Sequence, residues 1–165
     1  MIETEGGHVD FAPLDSLEDK ILTQMRLNFR RVSIERIASG HGLWNLYEAL
    51  AAIEGRDLIF HNDKELWPAA LDASDDLAIA ALDRLCLTLG AVSGDMALAQ
   101  GASAVVIAGG VGLRIADHLA SSGFRDRFIA KGRFERRMDE MPVKLVIHPQ
   151  PGLYGAAAAF AREHR

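Results

Sequence analysis

At 165 residues and 18.0 kDa, with 49% apolar and 25% charged residues, the chain has the make-up of one ordinary globular domain, which excludes a disordered or fibrous protein. Eighteen Lys plus Arg stand against 23 Asp plus Glu, a balance of −5 with no basic run longer than a pair, so no nucleic-acid surface is expected. The lone Cys86 excludes a disulfide framework and a Cys-rich zinc site; with no signal-peptide profile and no apolar stretch of bilayer-spanning length, a cytoplasmic protein without a membrane partner is expected.

The opening residues 1–13, MIETEGGHVDFAP, read as a loop with a short strand: Gly6-Gly7 signals a turn, His8 to Phe11 alternates polar with apolar, and Pro13 ends the run. Asp15 or Ser16 caps a first helix, with Glu18 three residues after Asp15, a stripe of Ile21, Leu22, Met25 and Phe29, and Arg30-Arg31 at the close. Ser33 predicts a second cap for a short turn to Ala38, broken at Gly40 and Gly42. Leu43, Leu46, Tyr47 and Leu50 mark a third helix that stops at Gly55. Residues 56–72 carry no clear period; Leu58 to Phe60 is open between strand and loop, and Pro68 can begin a turn of helix.

From Ser74, the apolar positions Ala78, Leu82, Leu85, Leu89, Val92 and Met96 alternate steps of four and three as far as Gly101, which predicts a helix about 40 Å long. Gly90 and Gly94 interrupt it, with close helix packing favoured over approach of a ligand. Ala104 to Ala108 is an unbroken apolar run that predicts a strand buried on both faces; Gly109-Gly110 follows, and then a helix through Leu113, Ala116 and Leu119, together one α/β unit. A basic, aromatic-punctuated stretch from Gly123 to Arg137 leads to a strand at Val143 to His148. After the turn Pro149-Gln150-Pro151-Gly152, the Ala-rich segment Leu153 to Arg165 forms a last helix.

Three features bear on chemistry. In Glu5-Gly6-Gly7-His8 a carboxylate and an imidazole offer the acceptors and donor that a polyhydroxylated ligand needs, while the glycines let a ring come close; a plain surface loop and a metal site of Glu5, His8 and Asp10 are the alternatives. Glu35, just inside the Ser33 cap, is either a ligand carboxylate or an ordinary first-turn acid. The Gly109-Gly110 turn between strand and helix can admit a nucleotide, and it is also common without one. Neither G-x-G-x-x-G nor GK[ST] occurs.

EGGHVDFAP (Glu5 to Pro13), RVSIERIASGHGLWNLYEAL (Arg31 to Leu50), VVIAGGV (Val105 to Val111), SGFRDRFIAKGRF (Ser122 to Phe134) and HPQPGLYGAAAAF (His148 to Phe160) occur in that order, and each resembles a block of bacterial ATP-dependent glucokinase. The resemblance runs over residues 1–165 and covers the C-terminal half of that family. It implies an α/β fold, the large sugar-binding portion of an actin-like (ribonuclease H-like) sugar kinase. A C-terminal helix at about 153–165 would normally pack back on the smaller domain.

The resemblance further implies that Glu5, His8 and Glu35 bind glucose and that Gly109 and Gly110 lie where adenosine is accommodated, although Gly112-Leu113-Arg114 stands where a proline is usual. Its single cysteine separates the chain from related repressors and kinases with a Cys-rich zinc loop. The family's phosphate loops and catalytic Asp belong upstream of Glu5 and do not occur here, so no catalytic residue or metal ligand is assigned to this chain. The parent reaction uses ATP and Mg²⁺ to phosphorylate glucose. This chain is expected to be inactive alone, with glucose, ATP, a second copy of itself and a missing N-terminal half as its partners; a non-catalytic homodimeric module, built on the Ser74 to Gln100 helix, is the alternative.

Overall fold

The computed structural model describes residues 5–164; Met1 to Thr4, read above as part of the opening loop, and Arg165, read as the end of the last helix, lie outside the described residues. Helix α1 (Ser16–Asn28) starts at Asp15, whose Oδ1 accepts the N–H groups of Leu17 and Glu18 at 3.0 and 2.9 Å; Glu18 reaches back to accept the Leu14 N–H at 2.7 Å. It buries Ile21, Leu22 and Met25. Helix α2 (Gly42–Glu54) opens on Gly42 because a side chain there would overlap the Ile37 carbonyl, and it ends at Gly55, whose φ of +66° favours glycine.

The featureless stretch 56–72 contains a helix. α3 (Asp63–Leu71) is capped by Asn62, which accepts from Lys64 and Glu65, while Glu65 Oε2 accepts the His61 N–H. Pro68 lies inside this helix rather than opening one, and Leu58 to Phe60 forms no strand.

Helix α4 (Asp76–Ala99), capped by Asp75, is the axis around which α2, α3 and the later helix at Phe124–Ile129 pack. By length and composition alone its 24 residues could cross a membrane, which corrects the sequence reading on that point; half of that apolar window is buried in this core. Ile21, Leu43, Leu46, Leu66, Leu82 and Leu85 are at the centre of this first core.

Strands β1 (Val105–Ile107) and β2 (Val143–Leu145) pair in parallel, Val105 opposite Val143 and Ile107 opposite Leu145. Between them come α5 (Gly110–Arg114), α6 (Ala116–Ser121), α7 (Phe124–Ile129) and α8 (Glu135–Glu140). Val105, Ile107 and Val143 pack on a second core of Phe124, Phe128, Met138 and Met141. The expectation of a strand buried on both faces fails, because among the described residues β1 has one strand neighbour and its outer residue Val106 is 63% exposed. β2 is also shorter than the predicted run to His148: pairing ends with the Val146 N–H donating to Ile107, and Ile147 is exposed. Helix α9 (Pro151–Glu163) exposes every residue from Gly152 onward, Leu153, Tyr154 and Phe160 included.

An ionic cluster ties the start of α1 to α4 and α7: Arg84 and Arg127 both reach Asp15 and Glu18. Burial pushes the Asp15 carboxyl up, but the Glu18 N–H and the two guanidiniums outweigh it and hold the group below its ordinary 3.8. A depressed folded value means that the stabilisation is complete above the unfolded value and disappears as pH falls through the folded one. Wild type is therefore expected to lose more stability than Asp15→Asn between pH 5 and pH 2, measured by urea unfolding followed by circular dichroism. Equal losses would show that Asp15 contributes nothing to acid sensitivity.

Candidate functional site

The predicted strand at His8 to Phe11 is instead a single 3-10 turn, Gly6–His8, followed by one antiparallel bridge between Asp10 and Ser33. A second 3-10 turn, Ile34–Arg36, follows Ser33. Ser33 holds the N-cap position, though its hydroxyl makes no capping bond, and Glu35 stands in the first turn that follows, a placement that fits a first-turn acid as well as a ligand carboxylate.

Two backbone bonds join these turns: the Ile34 N–H donates to Val9 and the Phe11 N–H to Val32, both at 2.9 Å. Arg31 adds an ion pair to Asp10 at 2.5 Å instead of closing α1. Residues 27 positions apart thereby meet, with His8 Nδ1 3.5 Å from Glu35 Oε2 and each side chain 61% exposed. Glu5 is exposed and lies at the N-cap position of the first turn, where its carbonyl accepts the His8 N–H at 3.0 Å. Of these two glycines, only Gly6 is crowded. A Cβ on Gly6 would press on Met96 Sδ at 3.2 Å, and one on Gly7 would touch Glu35 Cβ at 3.7 Å.

The arrangement presents carboxylate and imidazole side chains together at an open surface, which suits hydrogen bonding to several hydroxyls. It does not suit the metal alternative. Asp10 is engaged with Arg31, and no group of three metal-ligating side chains occurs among the described residues.

Gly109 caps α5 with φ +101°, a conformation that L side chains rarely adopt, and space above both Gly109 and Gly110 is open for 4 Å. One turn further along α5, Arg114 lays its guanidinium over Trp67, 4.7 Å from the ring centroid, on the wall of a cavity of about 670 Å³. Asp63 and Lys64 at the start of α3 line the same cavity, and the Trp67 indole N–H donates to the Gly40 carbonyl. His41 meets Asp63 Oδ2 at 2.9 Å, while Asp63 Oδ1 is buried without a hydrogen-bond partner. Sequence reasoning missed Trp67 and Asp63. The Asn62 cap and the Glu65 that follows it are the local signal that would have located α3 and pointed its first turn here.

The family profile described as Glucokinase matches residues 1–163. A glucokinase of Zymomonas mobilis is 67% identical over 164 residues, which is 99% of this chain and 51% of that one. One from Caulobacter vibrioides is 42% identical, again over 99% of this chain and 50% of its own. Among solved structures, a glucokinase from an Antarctic psychrotroph superposes with a TM-score of 0.88 at 33% identity, covering 98% of this chain and 50% of that chain. A glucokinase from Balamuthia mandrillaris in complex with glucose gives 0.70 at 16% identity over 90% of this chain and 44% of the other, a likeness of fold. The chain spans about half the length of the curated relatives it matches.

Proposed function

The chain belongs to the glucokinase family, and from that premise we propose that it is the sugar-binding half of an ATP-dependent glucokinase, in which Glu5, His8 and Glu35 hydrogen-bond one glucose molecule. The observation that carries the reading is the meeting of His8 with Glu35 across an open, glycine-thinned surface. Carboxylates accept from sugar hydroxyls, and the imidazole donates from one nitrogen and accepts at the other. The adenosine of ATP lies against Gly109 and Gly110, with its base in the cavity walled by Trp67 and Arg114. That cavity has room for a purine and carries Trp67 and Arg114 on its wall.

When bound, ATP supplies the γ-phosphoryl group and Mg²⁺ offsets its charge. This chain's own residues hold the acceptor sugar and the adenosine end; the base that would deprotonate the sugar hydroxyl comes from the half of the fold that the relatives carry upstream. The same upstream half covers the exposed side of β1 and helix α9. The reaction is cytoplasmic.

Purified alone, the 165-residue chain is therefore expected to show no glucose-dependent ATP turnover, measured by a coupled glucose 6-phosphate assay. Mixed or co-expressed with the N-terminal half of the Zymomonas mobilis relative, it is expected to regain turnover that Glu35→Ala removes. Turnover by the single chain, sensitive to Glu35→Ala, would overturn the division of labour.

The apolar side chains of Ile147, Leu153, Tyr154, Phe160 and Val106 favour a second reading, a homodimer closed through α9 and the outer face of β1. Sedimentation at micromolar concentration is expected to give twice the 18.0 kDa mass of the chain; a monomer with α9 still helical would contradict it.

A further inference from the structure

The loop that leaves His8 runs as an arch from Val9 to Asp15. Its near end is held by the two backbone bonds to 32–34 and by the Arg31–Asp10 pair. Beneath it, between Phe11 and α4, lies a small cavity of about 110 Å³ whose wall includes Thr88 and Val92, so packing under the arch is incomplete. What holds the far end is the ionic cluster. Asp15 Oδ1 caps α1, and its Oδ2 accepts from Arg84 at 2.5 Å and from Arg127 at 2.6 Å. Glu18, only 4% exposed, accepts the Leu14 N–H on Oε2 and takes Arg127 at 3.2 Å and Arg84 at 3.5 Å on Oε1. All four carboxylate oxygens are committed, and two positive charges balance two negative ones.

Capping α1 needs only Asp15 and Glu18. The two arginines, 66 to 112 positions away, are surplus to that task, and a charge pair taken out of water is weak evidence for stability because desolvation offsets the attraction. Their distinctive effect is geometric. Arg84 of α4, through Nη1, and Arg127 of α7, through Nη2, each bridge Asp15 Oδ2 and Glu18 Oε1, so the Asp15–Glu18 turn is tied to two different helices at once.

We propose that Arg84 and Arg127 are positioning residues for the sugar site: by fixing the far end of the arch over an underpacked cavity, they keep His8 against Glu35. The proposal rests on the glucose reading of those side chains, but its first readout does not. In the 165-residue chain, nuclear Overhauser contacts between the His8 ring and the Glu35 side chain report the geometry without any sugar, and a glucose titration reports its consequence.

Arg127→Gln is expected to weaken those contacts and to reduce glucose affinity roughly tenfold or more, with helix content unchanged by circular dichroism; Arg127→Lys is expected to restore most of both. If Arg127→Gln does not fold, Asp15→Asn keeps a capping side chain, removes the charge and is expected to produce the same two changes. Folded variants that retain the His8–Glu35 contacts overturn the proposal whatever glucose does. A parent chain that binds no glucose, while its His8–Glu35 contacts respond to Arg127, supports the positioning role and refutes the sugar reading instead.

Discussion

Gly90→Ala is expected to destabilise the chain by about 3 kcal/mol or more, a large share of the ~5–15 kcal/mol that holds a domain of this kind together. A methyl group on Gly90 would lie far inside van der Waals contact with the carbonyl oxygen of Phe124, which is backbone and cannot swing aside. Gly94 repeats the situation one turn later, 2.6 Å from the Phe128 carbonyl and from Lys131 Cε. The two glycines let α7 lie directly on α4, and α7 brings Phe124 and Phe128 to the second core and Arg127 to the ionic cluster. Urea unfolding is the measurement. Gly155→Ala, which has open space around it in helix α9, is the control and is expected to be neutral or stabilising by up to ~1 kcal/mol. Equal stability of Gly90→Ala and wild type would mean that α7 does not sit on α4 as described.

Glu35→Ala and His8→Ala are each expected to cost glucose affinity ~10- to 100-fold, the equivalent of one or two charge-assisted hydrogen bonds. Wild-type affinity is itself expected to be millimolar or weaker, because the His8 and Glu35 side chains stand at an open surface. Since the two side chains are 3.5 Å apart, the double variant should lose less than the sum of the single losses. Calorimetry or chemical-shift titration supplies the numbers. Single variants that bind like wild type would place the sugar somewhere other than this pair.

Features set by neighbours in the chain are legible in the sequence. The Asp15 cap with its Glu18 partner, the Gly55 stop and the four-and-three spacing of α4 are local, and the structure reproduces them to within about two residues. The glycines at 90 and 94 were also read correctly as a packing surface.

What failed was non-local. An apolar run at Ala104 to Ala108 says that a strand forms, but the number of its faces that are covered depends on strands and helices elsewhere, and Val106 is bare. Helix α3 was missed because it is only nine residues long and Pro68 sits within it. The convergence of His8 and Glu35 came from family resemblance, since no periodicity links positions 27 apart. The cavity under Arg114 needs Gly40, Trp67 and Arg114 brought together from three elements, and no spacing rule foretells that.

The turns at Gly6–His8 and Ile34–Arg36 are proposed to form one glucose-binding surface. A ¹⁵N-resolved titration of the 165-residue chain with glucose tests it most directly. The expected result is a saturable shift of the amide signals of residues 5–8 and 34–36, with those of Lys64, Trp67 and Arg114 unmoved and with the response absent in Glu35→Ala. Shifts centred on the Trp67 cavity, or no saturable change up to ~0.1 M glucose in a chain that remains folded, would contradict it.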